Sequence, residues 1–159
     1  MFNISYVLQK GSTLKQLDRL ESNVKRLLSK EVSVGFFAGT RNNEGKSIPN
    51  IARKNEYGDP SKRVPARPFM AITVSRAEGA MLAAMARIAR DVVGGGLEAT
   101  TALNRLGRSF ATAIRTTILS NVPPPNTPRT VARKGSSRTL IDTGQMLRAV
   151  TYRLRTRKP

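Results

Sequence analysis

The sequence contains no cysteine, no histidine and no tryptophan. The absence of cysteine excludes disulfide bonds, thiolate metal sites and cysteine nucleophiles, and the absence of histidine removes the commonest general base and transition-metal ligand. No apolar run approaches the roughly 18 to 20 residues that span a bilayer. The start Met1–Ser5 lacks the basic and then apolar pattern of a signal peptide. We therefore expect no membrane partner and synthesis in the cytoplasm.

Acidic residues are also few, with ten Asp and Glu against 28 Lys and Arg, for a formal charge of +18. No two carboxylates stand in a motif that demands acid–base catalysis or metal binding. Gly94–Gly96 lacks the Lys-Ser/Thr ending of a phosphate loop, and Ser136–Ser137 lacks the strand-to-helix elbow of a serine nucleophile. We expect no enzyme, no catalytic, cofactor or metal site and no small-molecule substrate, whereas the charge favours polyanions and anionic surfaces.

The length of 159 residues suits a single domain, 1–159. Hydrophobic residues make up 39% of the chain and aromatic residues 5%, so the core of a monomer is expected to be thin for its length. We therefore expect stability to depend on neighbours in an assembly.

Hydrophobic periodicity divides the first third of the chain into three predicted elements. Apolar and polar residues alternate over 2–9, which is typical of a strand, before Lys10–Ser12 interrupts the pattern. Thr13 with Gln16 fits a capping box that opens a helix over 13–30. The apolar run 32–38 then predicts a second strand behind that helix.

The middle of the chain is predicted to be helical. A polar loop, 39–47, leads to a short helix with Pro49 in its first turn and Gly58 at its end. Apolar stripes predict helices over 68–93 and 97–121, separated by Gly94–Gly96 and stopped by Pro123–Pro125. These two helices are expected to form an antiparallel hairpin.

The last third is predicted to be mostly irregular. The stretch 122–139 mixes Pro, Ser, Thr and Gly with basic residues and is predicted to be an extended basic loop. Asp142 is expected to cap a helical turn over 143–147, and the alternation of 150–154 predicts a final strand. Residues 153–159 are expected to form a basic C-terminal tail. The fold class is therefore α+β: a small antiparallel or mixed sheet packed by one N-terminal helix and a long helical hairpin, with extended loops at 39–47 and 122–139.

The stretch 55–70 is the most informative part of the chain, because it fixes a backbone path and offers no reactive side chain. Gly58 can adopt the positive φ that closes a helix, Pro65 and Pro68 lock φ, and Phe69 can anchor the next helix. Glu56 and Asp59 are expected to form salt bridges with Arg63 or Arg67.

Four short motifs occur in a particular order: Val34-Gly35-Phe36, the stretch from Ala52 to Glu56-Tyr57-Gly58, Pro65–Phe69, and Leu140–Gly144. Together, from about residue 32 to residue 154, they resemble the tail-completion or neck proteins of tailed bacteriophages. That group includes the minor tail protein Z type and related virion morphogenesis proteins. The triple glycine 94–96 and the basic tail after Tyr152 depart from the pattern.

The resemblance implies a structural virion protein of the neck or tail, assembled in the host cytoplasm and needed for tail completion and head–tail joining. It implies a cyclic homo-oligomer at the head-proximal end of the tail, with six copies favoured over twelve, and neighbouring connector, terminator or tube proteins as partners. The residues expected to form the structural clamp and interface are Tyr57, Gly58, Pro65, Arg67, Pro68, Phe69, Asp142, Thr143 and Gly144.

The basic end of the chain supports an alternative function. Residues 122–159 contain seven Arg and two Lys against a single Asp, which favours contact with an acidic protein or with DNA phosphates. Few aromatic residues interleave with them, so base stacking and sequence reading are not expected. The alternative is a nonspecific nucleic-acid-binding protein. The candidate DNA or acidic-partner contacts are Arg129, Arg133, Lys134, Arg138, Arg153 and Arg155.

Overall fold

The computed structural model describes residues 4–157 and has a small α+β architecture. The described residues form six α-helices and one two-stranded antiparallel sheet. In chain order these are α1 (Ile4–Leu28), β1 (Lys30–Gly35), α2 (Ile48–Tyr57), α3 (Phe69–Val93), α4 (Ala99–Leu119), α5 (Pro128–Lys134), α6 (Gln145–Ala149) and β2 (Thr151–Thr156). The predicted fold class is confirmed.

Helix α4 is the centre of the core, because one of its faces packs on the sheet and another on α3. Its Ile114 and Ile118 are almost completely buried together with Phe69, Val122 and Val150. The other core members lie on α2, α4, α6 and the segment before α6, so the main core joins the middle of the chain to its end. A smaller cluster of Val92, Ala99 and Ala102 holds the two long helices together beside their link.

The sheet joins two segments that are far apart in the chain. Strand β1 pairs with β2 from Lys30 opposite Thr156 to Gly35 opposite Thr151. At Gly107 on α4, a Cβ atom would lie 2.5 Å from Cδ2 of the Tyr152 ring and 3.0 Å from Val32. Glycine at this position therefore lets the helix approach the sheet more closely than any other residue would.

Helix α3 and residues 13–28 of α1 are mostly exposed although they carry many apolar residues. Of the 25 residues of α3, only Phe69, Thr73 and Val92 are buried. Large apolar side chains on both helices face solvent: Leu14, Leu17, Leu20 and Leu28 on α1, and Val74, Leu82 and Met85 on α3. By length and composition alone, α3 is also the one helix in residues 4–157 apolar enough to cross a membrane, and 11% of the qualifying window is buried.

The strand predicted over residues 2–9 is wrong over its described part, because α1 begins at Ile4 and runs without interruption to Leu28. Phe2 and Asn3 lie outside the described residues. A glycine inside a helix costs only about 1 kcal/mol, so an established helix can continue through Gly11. For the same reason Thr13 and Gln16 lie inside α1 and do not form the predicted capping box at its start.

Two predictions for the end of the chain also need correction. The loop predicted over 122–139 contains α5, which begins where the Thr127 hydroxyl accepts from the Thr130 N–H and ends at Gly135 in the left-handed region. The basic tail predicted over 153–159 is wrong over 153–156, because these residues pair with β1 as part of β2. Residues 158 and 159 lie outside the described residues. The loop 39–47 is confirmed, with a bridge between Arg41 and Ser47.

Helices α2, α3 and α4 lie within two residues of their predicted bounds. Pro49 lies in the first turn of α2, and Gly58 ends that helix with a φ of 79°. The five-residue link 94–98 joins α3 to α4, and these two helices pack on each other. Short links of this kind connect antiparallel neighbours, as predicted for the hairpin.

Candidate binding cleft

The segment between α2 and α3, residues 58–68, turns sharply, and we call it the corner. It places the Arg67 side chain against residues 124–126. A Cβ atom on Gly58 would lie 2.9 Å from the Ala66 nitrogen, so only glycine fits between the two arms of the corner. A 3-10 turn at Pro60–Lys62 and the bridge between Asp59 and Val64 close the loop. Phe69 then anchors α3 in the core, with its ring edge-on to Phe36 at 5.9 Å between centroids.

Arg67 joins the corner to the segment before α5. Its guanidinium donates from Nε to the Pro124 carbonyl at 2.8 Å, and from Nη2 to the Pro125 carbonyl at 3.4 Å and to Oδ1 of Asn126 at 3.2 Å. The side chain is 6% exposed, and burial lowers the pKa of the guanidinium. Among the described residues, Nη1 has no acceptor and no carboxylate pairs with Arg67.

The expected salt bridges of Glu56 and Asp59 with Arg63 or Arg67 are wrong. Glu56 is buried and accepts hydrogen bonds from the backbone N–H groups of Met70 and Ala71, at 2.8 and 3.0 Å, so it caps the start of α3. Its carboxylate takes this position because the first N–H groups of a helix have no partner inside the helix. Asp59 pairs with Lys54 at 2.8 Å, and the bonds from Lys54 and Ser61 lower its pKa to about 2.

Helix α5 places Lys134 at the edge of the same region. The Lys134 ammonium donates to the Arg138 carbonyl at 2.9 Å and lies 3.5 Å from the Thr139 carbonyl. Burial lowers the pKa of this ammonium, Arg133 and Arg67 lower it further, and Asp142 opposes the shift. A half-buried cation among other cations is an environment that favours a bound anion.

The motif Asp142-Thr143-Gly144 lines the same region beside α5, but Asp142 does not cap a helix as predicted. Gly144 occupies the capping position of α6 with a φ of 73° and no side-chain cap. The Asp142 carboxylate instead lies 3.7 Å from Nη1 of Arg133. Thr143 accepts from Gln145 through its hydroxyl and from Arg148 through its carbonyl.

These parts enclose a cleft of about 650 Å³, within the range of about 300 to 1,000 Å³ that is typical of ligand sites. It lies between α2, the corner, α5 and the segment that leads into α6. We call it the docking cleft. Its lining residues are Asn42, Glu44, Lys46, Ile48, Ile51, Asn55, Lys62, Val64, Arg67, Asn126, Thr130, Arg133, Lys134, Thr139, Leu140, Asp142, Thr143, Gly144, Gln145 and Met146.

The docking cleft contains only some of the residues predicted from sequence. Arg67, Asp142–Gly144, Arg133 and Lys134 line it, while Gly58, Pro65, Pro68 and Phe69 shape the corner without lining it. Tyr57 lies elsewhere on the surface and is 75% exposed.

The remaining predicted basic contacts are exposed and lie outside the docking cleft. Arg129 is on α5 and Arg138 is just after it, whereas Arg153 and Arg155 are on β2. The Arg153 guanidinium stacks over the Phe37 ring at 4.2 Å. The basic residues therefore do not form one site.

Sequence reasoning missed several cleft residues because they are distant in the chain. Thr139 is the clearest case: its hydroxyl is buried and, among the described residues, is the one buried side-chain oxygen or nitrogen without a hydrogen-bond partner. Met146 and Lys62 gave no signal either. Helix α5 did have a sequence signal, because threonine followed by proline is a common helix start and glycine is a common helix end, as at Thr127-Pro128 and Gly135.

No group of three or more acidic residues able to hold a metal ion occurs in the described part of the chain. The cleft carboxylates, Glu44 and Asp142, each lie beside a cation, at 2.5 Å from Lys46 and 3.7 Å from Arg133. The cleft therefore offers hydrogen-bond donors, positive charge and apolar surface. Such a set of groups suits the binding of an anionic ligand that also carries apolar surface.

Comparison with known proteins gives no match: no family model, no curated protein and no solved structure is similar to this chain.

Proposed function

We propose that this protein is a structural subunit of a tailed-phage neck or tail, which forms a ring at the head-proximal end of the tail and is needed for tail completion and head–tail joining. The observation that carries the proposal is the exposure of α3, a 25-residue apolar helix with three buried residues. A large apolar surface left exposed on a helix marks a site that another surface covers. The order of the four sequence motifs supports the phage assignment.

A second copy of the chain is the cover that the proposal requires. Leu82 on α3 is 61% exposed and Leu17 on α1 is 55% exposed, and the two helices contact each other. Covering one such side chain contributes about 1.5 to 3 kcal/mol. When the interface joins two different faces of the subunit, repetition of the contact closes a ring if the rotations of successive subunits add up to a full turn.

The decisive experiment is electron microscopy of lysates from the parent phage with an early stop codon in this gene, with and without complementation. We expect filled heads and unjoined tails, or tails of abnormal length, only in the uncomplemented lysate. Normal infectious particles would exclude the proposed role.

A biochemical test addresses the subunit contact directly. Leu82→Gln should shift purified protein from oligomer to monomer in sedimentation velocity, without lowering the melting temperature of the monomer, because the side chain is exposed. Exposed Arg105→Gln on α4 is the matched control. Association with lipid vesicles that disappears in the Leu82 variant would mean that a membrane covers α3, contrary to the proposal.

The alternative function, nonspecific nucleic-acid binding, is favoured by one specific observation. Arg153 and Arg155 alternate along β2, so both side chains lie on the same exposed face of the sheet. Replacing these two by Gln should weaken binding of duplex DNA and reduce its salt dependence by about two released ions. The alternative predicts that this change, and not Leu82→Gln, abolishes function in the cell.

A further inference from the structure

The docking cleft combines a positively charged rim with an apolar floor. Lys62, Arg67 and Lys134 line it and form no ion pair with any described residue. The floor includes Ile48, Leu140 and Met146, all of which are buried. Two carboxylates oppose five cations in the lining, so the cleft has an excess of positive charge.

One buried polar group in the cleft wall lacks a partner. Thr139 is 6% exposed, and its hydroxyl has no hydrogen-bond partner among the described residues. Buried polar groups are normally satisfied, so an unpaired hydroxyl in a cleft wall favours a ligand that completes it. The hydrogen bonds of the Arg67 guanidinium come from Nε and Nη2, which leaves Nη1 free to bind the same ligand.

We propose that the docking cleft binds an acidic peptide segment of a partner protein, with a carboxylate on Arg67 and Lys134 and an apolar side chain on the floor. Charge complementarity favours an acidic occupant, because rim cations without carboxylate partners pair well with carboxylates. The apolar floor favours a peptide over DNA, since a phosphate backbone has no side chain to place on Ile48 or Met146. Because it names the partner chemistry of an assembling protein, this inference rests on the proposed function.

The test uses the full-length protein and a fluorescein-labelled peptide of alternating leucine and glutamate. Fluorescence anisotropy should detect binding that weakens as salt is added. Replacing the glutamates of the peptide by glutamine removes its carboxylates, and replacing its leucines by serine removes its apolar side chains. Either change should weaken binding at least about tenfold. An unlabelled DNA duplex should compete poorly.

The double variant Lys62→Met and Lys134→Met keeps the long side chains and removes two rim charges. It should bind the peptide at least about tenfold more weakly than the wild type. The control, Arg53→Met with Arg105→Met, removes the same charge from exposed positions outside the cleft and should bind within about twofold of the wild type. Thermal melting of both variants shows whether each remains folded.

Each other outcome overturns the inference. Absence of peptide binding at low salt would exclude it, as would equal loss in both double variants or indifference to the leucine-to-serine change. Full competition by duplex DNA would make the cleft a phosphate site. Ring formation, measured separately by sedimentation, is independent of this assay. Normal rings without peptide binding therefore refute the cleft alone, and peptide binding without rings refutes the proposed function alone.

Discussion

At the scale of a single residue, Arg67 is a buried side chain that links two distant segments of the chain. Its three hydrogen bonds reach Pro124, Pro125 and Asn126, more than fifty residues along the chain. The planar guanidinium can reach several acceptors at once, which an ammonium cannot do in the same geometry. The residue therefore holds one wall of the docking cleft in place.

Arg67→Met should lower the free energy of unfolding by about 2 to 4 kcal/mol, because it leaves carbonyl groups beside the corner without a donor. Arg67→Lys should cost less, since the ammonium retains one of the bonds. Urea unfolding followed by circular dichroism measures both values. A loss below about 0.5 kcal/mol for Arg67→Met would contradict this structural role of Arg67. Arg105→Met gives the baseline loss for an exposed arginine.

At the scale of the elements, two helical glycines differ in how closely other elements approach them. Gly107→Ala should destabilise the protein by about 1 to 3 kcal/mol, because the new methyl group overlaps the Tyr152 ring. Gly79→Ala on α3 meets nothing within 4 Å and should stabilise by about 0.5 to 1 kcal/mol through helix propensity. Urea unfolding of the pair tests the packing of α4 on the sheet. Effects of the same sign would refute the account.

Helix α4 also carries a prediction of pH dependence. The Glu98 carboxylate accepts from the Thr101 N–H at 2.8 Å, and hydrogen bonds from the Thr100 and Thr101 backbone lower its pKa from 4.5 to about 2. A carboxyl group whose pKa is lowered on folding stabilises the protein above its unfolded pKa, and this contribution is lost as the pH falls through its folded pKa. The contribution is therefore complete above about pH 4.5 and absent below about pH 2.

The variant Glu98→Gln tests this pH dependence of stability. The variant should be less stable than the wild type at pH 7, and the difference should shrink steadily as the pH falls from about 4.5 toward 2. Urea midpoints at several pH values, at low salt, give the difference. A difference independent of pH would show that the charge of Glu98 does not contribute to the cap.

Element by element, sequence patterns predicted the central helices and the final strand well, and the segments 2–9 and 122–139 poorly. Apolar stripes and the breaks at Gly58, Gly94–Gly96 and Pro123–Pro125 mark real ends, because these residues act through local backbone geometry. The alternation over 2–9 failed because a strand needs a partner, and the sheet of the described chain pairs β1 with β2 alone. The docking cleft was not predictable as a unit, since Lys62, Thr139 and Met146 meet only after tertiary folding.

The whole molecule combines exposed apolar helices with a charge of +18, and these two properties respond oppositely to salt. Raising salt from about 10 to about 150 mM shortens the Debye length from about 30 to about 8 Å, which reduces repulsion between subunits. Self-association should therefore strengthen while any binding to DNA weakens. Sedimentation velocity and anisotropy on one protein preparation measure both trends. Self-association that weakens with salt would show that ion pairs, and not α1 and α3, hold the copies together.

The pairing of β1 with β2 has a consequence for biosynthesis. More than a hundred residues separate the two strands, so at about 5 to 20 residues per second the ribosome needs on the order of ten seconds to supply the partner of β1. During that interval α4 lacks the sheet on which it packs, and β1 remains an open template for other chains. A polypeptide released before residue 151 never closes this sheet. Strand β2 therefore acts as a check on translation, because only a chain synthesised through β2 can complete the sheet.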